Sequence, residues 1–334
     1  NFAPADAGMH LVLRLPADGP ATADALIRSY SLSRLPVDGA CRISVKRAGA
    51  GSREVWRRLR PGAVVEARGP QGEFIADLAP SRPVVLLSTG IGITPLLALA
   101  EQIIEFDLRS DQARRIHFVH GARHGAAMVF ADELAALEAR AAGMLTLTRV
   151  FSQPREVDRL GISHEFEGRL TLELLRRVVA FDDDDFYLCG PPAFMQQMYD
   201  GLRAQAIADH RIHAEAFGPS TLRRTTSDAR DALAMQQREP AGEATVVTFA
   251  RSGTSATWLP GGGSLLELAE RSGLAPEYGC RNGSCGTCRT PLVGGAVAYP
   301  GRVRPPGAVD SVLICCAVPA SPAQAAPDPL VLDL

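Results

Sequence analysis

Residues 280–288 read Cys-Arg-Asn-Gly-Ser-Cys-Gly-Thr-Cys, a C-x4-C-x2-C run, and two more cysteines follow at 315 and 316. Thiolates at this spacing, with a distant fourth partner, suit a centre of two irons and two sulfides. Such a centre needs four sulfurs converging on a small volume and a loop whose N–H groups point inward. Gly279, Gly283 and Gly286 permit that tight wrap because they lack a Cβ and tolerate positive φ. Zinc sites more usually show paired C-x2-C hooks, and a disulfide is out of place in a cytosolic chain. The spacing nominates Cys280, Cys285 and Cys288 as metal ligands, together with Cys315 or Cys316. Adjacent side chains diverge in an extended chain, so one of the last two is expected to face the metal.

The remaining cysteines, Cys41 and Cys189, stand alone, which is not the even scatter of a disulfide framework. A chain of 334 residues, 46% of them hydrophobic, is long enough for two or three domains with separate cores. With 35 basic and 37 acidic residues spread along it, the chain has no field to hold nucleic acid or anionic lipid. The longest apolar stretch, Val84 to Ala100, is broken by Ser88, Thr89, Gly90, Gly92, Thr94 and Pro95, so it reads as strand, turn and helix, not as a membrane span. No charged segment followed by an apolar one opens the chain, and a cytoplasmic location is expected.

Composition divides the chain into blocks. Residues 1–80 carry short alternating runs, His10 to Leu15 and Arg42 to Lys46, between glycines and prolines, as antiparallel strands do. From residue 81 to 218, apolar runs alternate with helical stretches, the pattern of a parallel sheet covered by helices. Residues 219–243 are polar and aperiodic, a linker, and residues 244–334 form a third, smaller domain around the cysteine run.

In the second block an apolar strand runs into Gly90-Ile-Gly92-Ile-Thr94-Pro95 and then a helix. Glycines at such a turn let a pyrophosphate approach backbone N–H groups and the positive end of the helix. Two glycines alone also fit an ordinary tight turn. A later strand ends in Cys189-Gly190-Pro191, and ligands of open α/β sheets sit beyond the carboxyl ends of strands, so both turns can face one cleft. Arg123 follows a further strand and is placed either for an anionic part of a nucleotide or for solvent. In the first block, alternation puts Arg28 and Tyr30 on one face of a strand, with Ser31 next to them. There a guanidinium can hold phosphate while a ring stacks on a flat heterocycle.

Taken together, these motifs resemble the ferredoxin-reductase family in its ferredoxin-fused form, with flavin, NAD and 2Fe-2S modules in that order, as in phthalate dioxygenase reductase and the vanillate demethylase reductase subunit. The likeness covers nearly the whole chain. It implies a partial antiparallel flavin-binding β-barrel, a parallel α/β NAD-binding domain and a β-grasp-like 2Fe-2S ferredoxin domain. By this resemblance Arg28, Tyr30 and Ser31 are a flavin motif, and Gly51-Ser52, at the start of a helix over Ser52 to Leu59, is a second phosphate-binding turn. Gly90, Gly92, Thr94 and Pro95 match a nicotinamide-nucleotide loop, and Cys189, Gly190 and Pro191 match a C-G-P turn whose Cys approaches the nicotinamide. Glu215-Ala-Phe217 is similar to the E-x-F-G-P segment of flavohaemoglobin reductase domains, whose aromatic lies near the flavin; elsewhere a buried Phe217 would be core. Leu313-Ile-Cys315-Cys-Ala-Val-Pro319 resembles the ferredoxin pattern L-x-C-x-A-x-P, which favours Cys315 as fourth ligand.

The resemblance implies FAD, with FMN the alternative, one 2Fe-2S cluster, and NADH ahead of NADPH because no dense set of Arg and Lys follows Arg123. It implies an NAD(P)H:acceptor oxidoreductase passing electrons to a terminal oxygenase or demethylase, or to a fused upstream domain. A barrel of this family has about two strands before the segment that residues 1–15 resemble, so the chain is expected to be cut from, or to continue, a larger polypeptide. Two other readings compete: a non-catalytic redox carrier or sensor in which only the cluster works, and a free-standing oxidoreductase of small quinones or dyes.

Overall fold

The structure, a computed structural model, describes residues 5–15, 26–79, 82–111, 113–217, 222–224, 238–279, 281, 283, 286–300, 311–321 and 329–334. The chain divides into two units, Asn1–Phe217 and Gly218–Leu334. The first two sequence blocks thus fall in one unit.

In the first unit, β1 (His10–Leu15) lies between β2 (Leu26–Ser31) and β3 (Glu66–Gln71), antiparallel to both. The register pairs Leu11 with Tyr30 and Leu13 with Arg28. Leu11, Leu13 and Leu32 form a small core on which Tyr30, Ile43 and Leu59 pack. The run Arg42 to Lys46 is not the strand its alternation predicts; among the described residues it makes a single bridge, Ile43 to Leu32. Its polar groups are taken by other partners: Arg42 donates to the Ser33 hydroxyl and carbonyl, and the Val45 carbonyl accepts from the Trp56 indole. Trp56 belongs to α1 (Ala50–Arg58), which starts two residues before the expected helix Ser52 to Leu59 and ends one residue short of it.

The rest of this unit is a parallel sheet of β4 (Val84–Thr89), β5 (Ile116–Ala122), β6 (Leu145–Phe151), β7 (Phe166–Glu167), β8 (Asp185–Gly190) and β9 (Ile212–Ala216). Helices α2 (Ile93–Ser110), α3 (Ala131–Arg140), α4 (Leu172–Val178) and α5 (Pro192–Ala204) connect the strands. Val84 to Leu87 are all buried, which is why this strand reads as a continuous apolar run. Strand order is β7-β6-β5-β4-β8-β9. The chain therefore steps outward in one direction from β4, then returns to β4's other side as β8. That reversal opens a crevice beyond the carboxyl ends of β4 and β8.

One buried ion pair fastens the approach to this sheet. Arg114 Nε lies 2.8 Å from Asp107 Oδ2, both side chains are essentially inaccessible, and the guanidinium also donates to the carbonyls of Asp77 and Leu78. The segment leading into β4 is thereby held to the end of α2.

In the second unit, β10 (Thr245–Phe249), β11 (Thr254–Trp258), β12 (Arg289–Gly294), β14 (Ser311–Leu313) and β16 (Leu330–Leu332) form a mixed sheet ordered β11-β10-β16-β12-β14. A short pair, β13 (Val297–Ala298) and β15 (Val318–Pro319), lies outside that sheet. Helix α6 (Leu265–Arg271) buries Leu265, Leu266, Leu268 and Ala269, and a Ser264–Glu267 capping box fixes its start. No described helix is long and apolar enough to cross a membrane.

Candidate functional site

Two motifs read separately in the first block meet in space. A Cβ placed on Gly51 would lie 2.6 Å from Arg28 Nε, so the guanidinium rests against the first turn of α1. An exposed cation beside a helix N-terminus is a fit for phosphate. Tyr30 is half-buried on the same strand, and burial pushes its hydroxyl above the usual range against the opposing effect of Arg28. Ser52 plays a different part from the one expected of a phosphate ligand. Its hydroxyl accepts from Ala48 N and Gly49 N and donates to Gly49 O, holding the turn in shape.

At the crevice, the β4 and β8 turns touch. A Cβ on Gly92 would come within 2.1 Å of the Cys189 carbonyl oxygen, and one on Gly190 within 2.6 Å of Thr89 Oγ1, so neither position has room for a side chain. Thr89 Oγ1 is buried with no hydrogen-bond partner among the described residues, an orphaned polar atom beside the Gly190 turn. The first turn of α2 has no side-chain cap. Thr94 spends its hydroxyl on Ile91 O, and Pro95 is buried, so both shape the turn. Pro191 stands at the start of α5, and Arg123 is exposed at the end of β5. Sequence reasoning missed Lys46, whose Nζ lies 3.9 Å from a Cβ built on Gly90. Only the fold brings that exposed ammonium to the turn; nothing in its local sequence distinguishes it.

The β8–β9 register sets Cys189 against Glu215, and Ser31 Oγ donates to Glu215 Oε2 at 3.0 Å. This contact joins the first strand pair to the parallel sheet across 184 positions of chain. Withdrawal from water raises the Glu215 carboxyl to about 8, while the Ser31 hydrogen bond acts in the opposite sense. Burial pushes the Cys189 thiol well above its usual range, and Glu215, once ionised, acts in the same sense. Phe217 is 37% exposed at the end of β9, which removes the core reading for it.

The Glu215 pKa has a sign that can be measured. Its folded value lies above its unfolded one, so between about 4.5 and about 8 the folded state holds a proton the unfolded state has lost. Stability therefore falls as pH rises through that window. Glu215→Gln is expected to flatten this slope in denaturant titrations run across it; an unchanged slope would contradict the raised Glu215 carboxyl.

In the second unit, the pairing of Arg289 with Leu313 brings Cys288 and Cys315 to neighbouring ends of β12 and β14, and Ile314 N donates to Cys288 O. Both sulfurs belong to one apolar core, and none of the described cysteines forms a disulfide. Soft thiol donors buried without a disulfide suit iron and sulfide. Gly283 and Gly286 have positive φ, as the loop wrap requires. Cys280 and Cys285 lie outside the described residues. Cys316 does not diverge from Cys315: in the tight turn after β14 the two Sγ atoms are 3.3 Å apart.

Residues 86–200 match the family model described as oxidoreductase NAD-binding domain, and residues 247–320 match the 2Fe-2S iron-sulfur cluster binding domain. The chain joins an NAD-binding oxidoreductase domain to a 2Fe-2S domain. The chain is 36% identical over 227 residues to a flavohemoprotein of Bordetella pertussis, a match that covers 61% of this chain and 55% of the relative. It thus spans about half the length of the curated relatives it matches. Its fold is similar along 100% of the chain to an intact type IV self-sufficient cytochrome P450 monooxygenase, with a TM-score of 0.67, 23% identity and 37% of that chain covered. It is also similar to phthalate dioxygenase reductase, with a TM-score of 0.52 and 24% identity, over 100% of this chain and 89% of that one.

Proposed function

We propose that the chain is an electron-transfer reductase that takes hydride from NADH and delivers single electrons through a 2Fe-2S centre to an oxygenase or demethylase, either separate or fused to it. The observation that carries this reading is the meeting of Arg28 with Gly51 and of Ser31 with Glu215 in the same unit as a nucleotide crevice. A bare cluster carrier has no use for either meeting. When bound, a flavin supplies the exchange between two-electron and one-electron chemistry that a nicotinamide and an iron–sulfur centre require.

The residues divide the work by chemistry. Arg28 and the first turn of α1 neutralise flavin phosphate, and Tyr30 offers its ring face. The Gly90–Gly92 and Cys189–Pro191 turns admit a nicotinamide nucleotide close to the backbone, where Thr89 Oγ1 and Lys46 are available to it. Glu215, its carboxyl raised to about 8 by withdrawal from water, accepts from Ser31, and Phe217 lies partly exposed just past the end of the same strand. Cys280, Cys285, Cys288 and Cys315 provide the four thiolates of the cluster. FAD is the flavin we assign, with FMN the alternative, and NADH is preferred over NADPH. The flavin barrel (1–80), NAD domain (81–218), linker (219–243) and ferredoxin domain (244–334) remain the proposed division of labour.

The P450 monooxygenase and phthalate dioxygenase reductase neighbours support an oxygenase-type acceptor, and the flavohemoprotein relative supports a flavin. That none of the described cysteines forms a disulfide supports the cytoplasm, where thiols stay reduced. The test is NADH-driven reduction of a one-electron acceptor such as cytochrome c by the purified chain, compared with Arg28→Ala. Charge-assisted contacts to phosphate are worth about 1.5–3 kcal/mol each. Arg28→Ala is therefore expected to weaken flavin retention roughly ten- to hundredfold, and added FAD should restore the rate. A chain that purifies with cluster but no flavin, and oxidises no NADH when FAD is supplied, would leave the carrier reading instead.

A further inference from the structure

We infer that the Cys316 thiol donates a hydrogen bond to the Cys315 sulfur and so raises the reduction potential of the 2Fe-2S centre. The inference rests on Cys315 being the fourth ligand. Cys315 is buried in the same core as Cys288, whereas Cys316 is half-buried and packs at that core's edge. Their sulfurs are 3.3 Å apart, within hydrogen-bond reach for sulfur.

The turn that brings them together is tied down on every side. Cys316 N and Ala317 N both donate to Leu313 O at 3.0 Å. From the start of α6, Leu266 N donates to Ile314 O at 2.8 Å and Leu265 N to Ala317 O at 2.9 Å. These bonds fix the backbone at both ends of the pair and with it the directions of the two Cα–Cβ bonds from which the sulfurs meet. A neutral thiol is a weak donor and a metal-bound thiolate is a good acceptor, so the polarity of the contact is set once Cys315 binds iron.

One-electron reduction adds negative charge to the cluster and its thiolates, and hydrogen bonds to those sulfurs are one of the determinants of cluster potential. An S–H dipole pointing at Cys315 Sγ stabilises the reduced form more than the oxidised one. No bond is made or broken and no proton is transferred. Cys316 is thus a positioning and tuning residue, not a ligand.

The experiment compares the full chain with Cys316→Ala, Cys316→Ser and Cys315→Ala, purified anaerobically, by iron and sulfide content and by a dye-mediated redox titration followed by EPR of the reduced cluster. Both Cys316 variants should keep a full cluster. Cys316→Ala should shift the reduction equilibrium about tenfold toward the oxidised form, which for a one-electron couple is about 59 mV lower. Cys316→Ser retains a donor and should lie closer to the parent. An unchanged potential in Cys316→Ala overturns the donor role. Loss of the cluster in Cys316→Ala, with retention in Cys315→Ala, overturns the ligand assignment beneath it.

Discussion

Cys288→Ala is expected to yield a chain with almost no iron, no cluster absorption and at least a hundredfold slower reduction of one-electron acceptors, while NADH-driven reduction of a two-electron dye persists. Cys288 is 2% exposed and lies where the Arg289–Leu313 pairing brings it beside the Cys315 turn. Three thiolates cannot complete the four-sulfur set that two irons require. The two units are separate bodies of chain, so the hydride chemistry assigned to Asn1–Phe217 should survive the loss. Iron analysis and paired acceptor assays check this. Equal loss of both activities would mean that the cluster is needed for the first unit to work at all.

The second large effect concerns stability. Asp107→Ala leaves the Arg114 guanidinium buried without its counter-charge, at a side-chain exposure of 1%. Removing one partner of such a pair costs about 3–5 kcal/mol. In a domain of this size each kcal/mol moves Tm by roughly 2–4 °C, so the first unit's transition should fall by roughly 6–20 °C in calorimetry. The double variant Asp107→Leu/Arg114→Met should recover much of that loss, because it leaves no orphaned charge. A single variant that melts with the parent would show that water or another group already screens Arg114.

The parts of this protein visible in the sequence are those whose chemistry is local. The C-x4-C-x2-C spacing, the glycine turn after Val84–Leu87 and the Arg28–Ser31 strand each carry their meaning within a few residues; the last two lie in the structure where their patterns place them, while Cys280 and Cys285 fall outside the described residues. The contacts that make a site are not local. Ser31 meets Glu215 only because the strand order turns back at β4 and lays β9 beyond β8. Lys46 reaches the Gly90 turn only because Arg42 to Lys46 leaves the strand register that its alternation suggests, its backbone and side chains being claimed by Ser33 and Trp56. Cys316 meets Cys315 because the chain turns tightly after β14, where the divergence of adjacent side chains that holds in extended chain does not apply.

The most direct test is the anaerobic visible spectrum of the purified chain before and after one equivalent of NADH. Flavin and iron–sulfur bands present at the start and bleaching together are the expected result, because that places hydride acceptance and single-electron storage in one connected path. Cluster bands alone, unchanged by NADH, would contradict the reductase and leave a redox carrier.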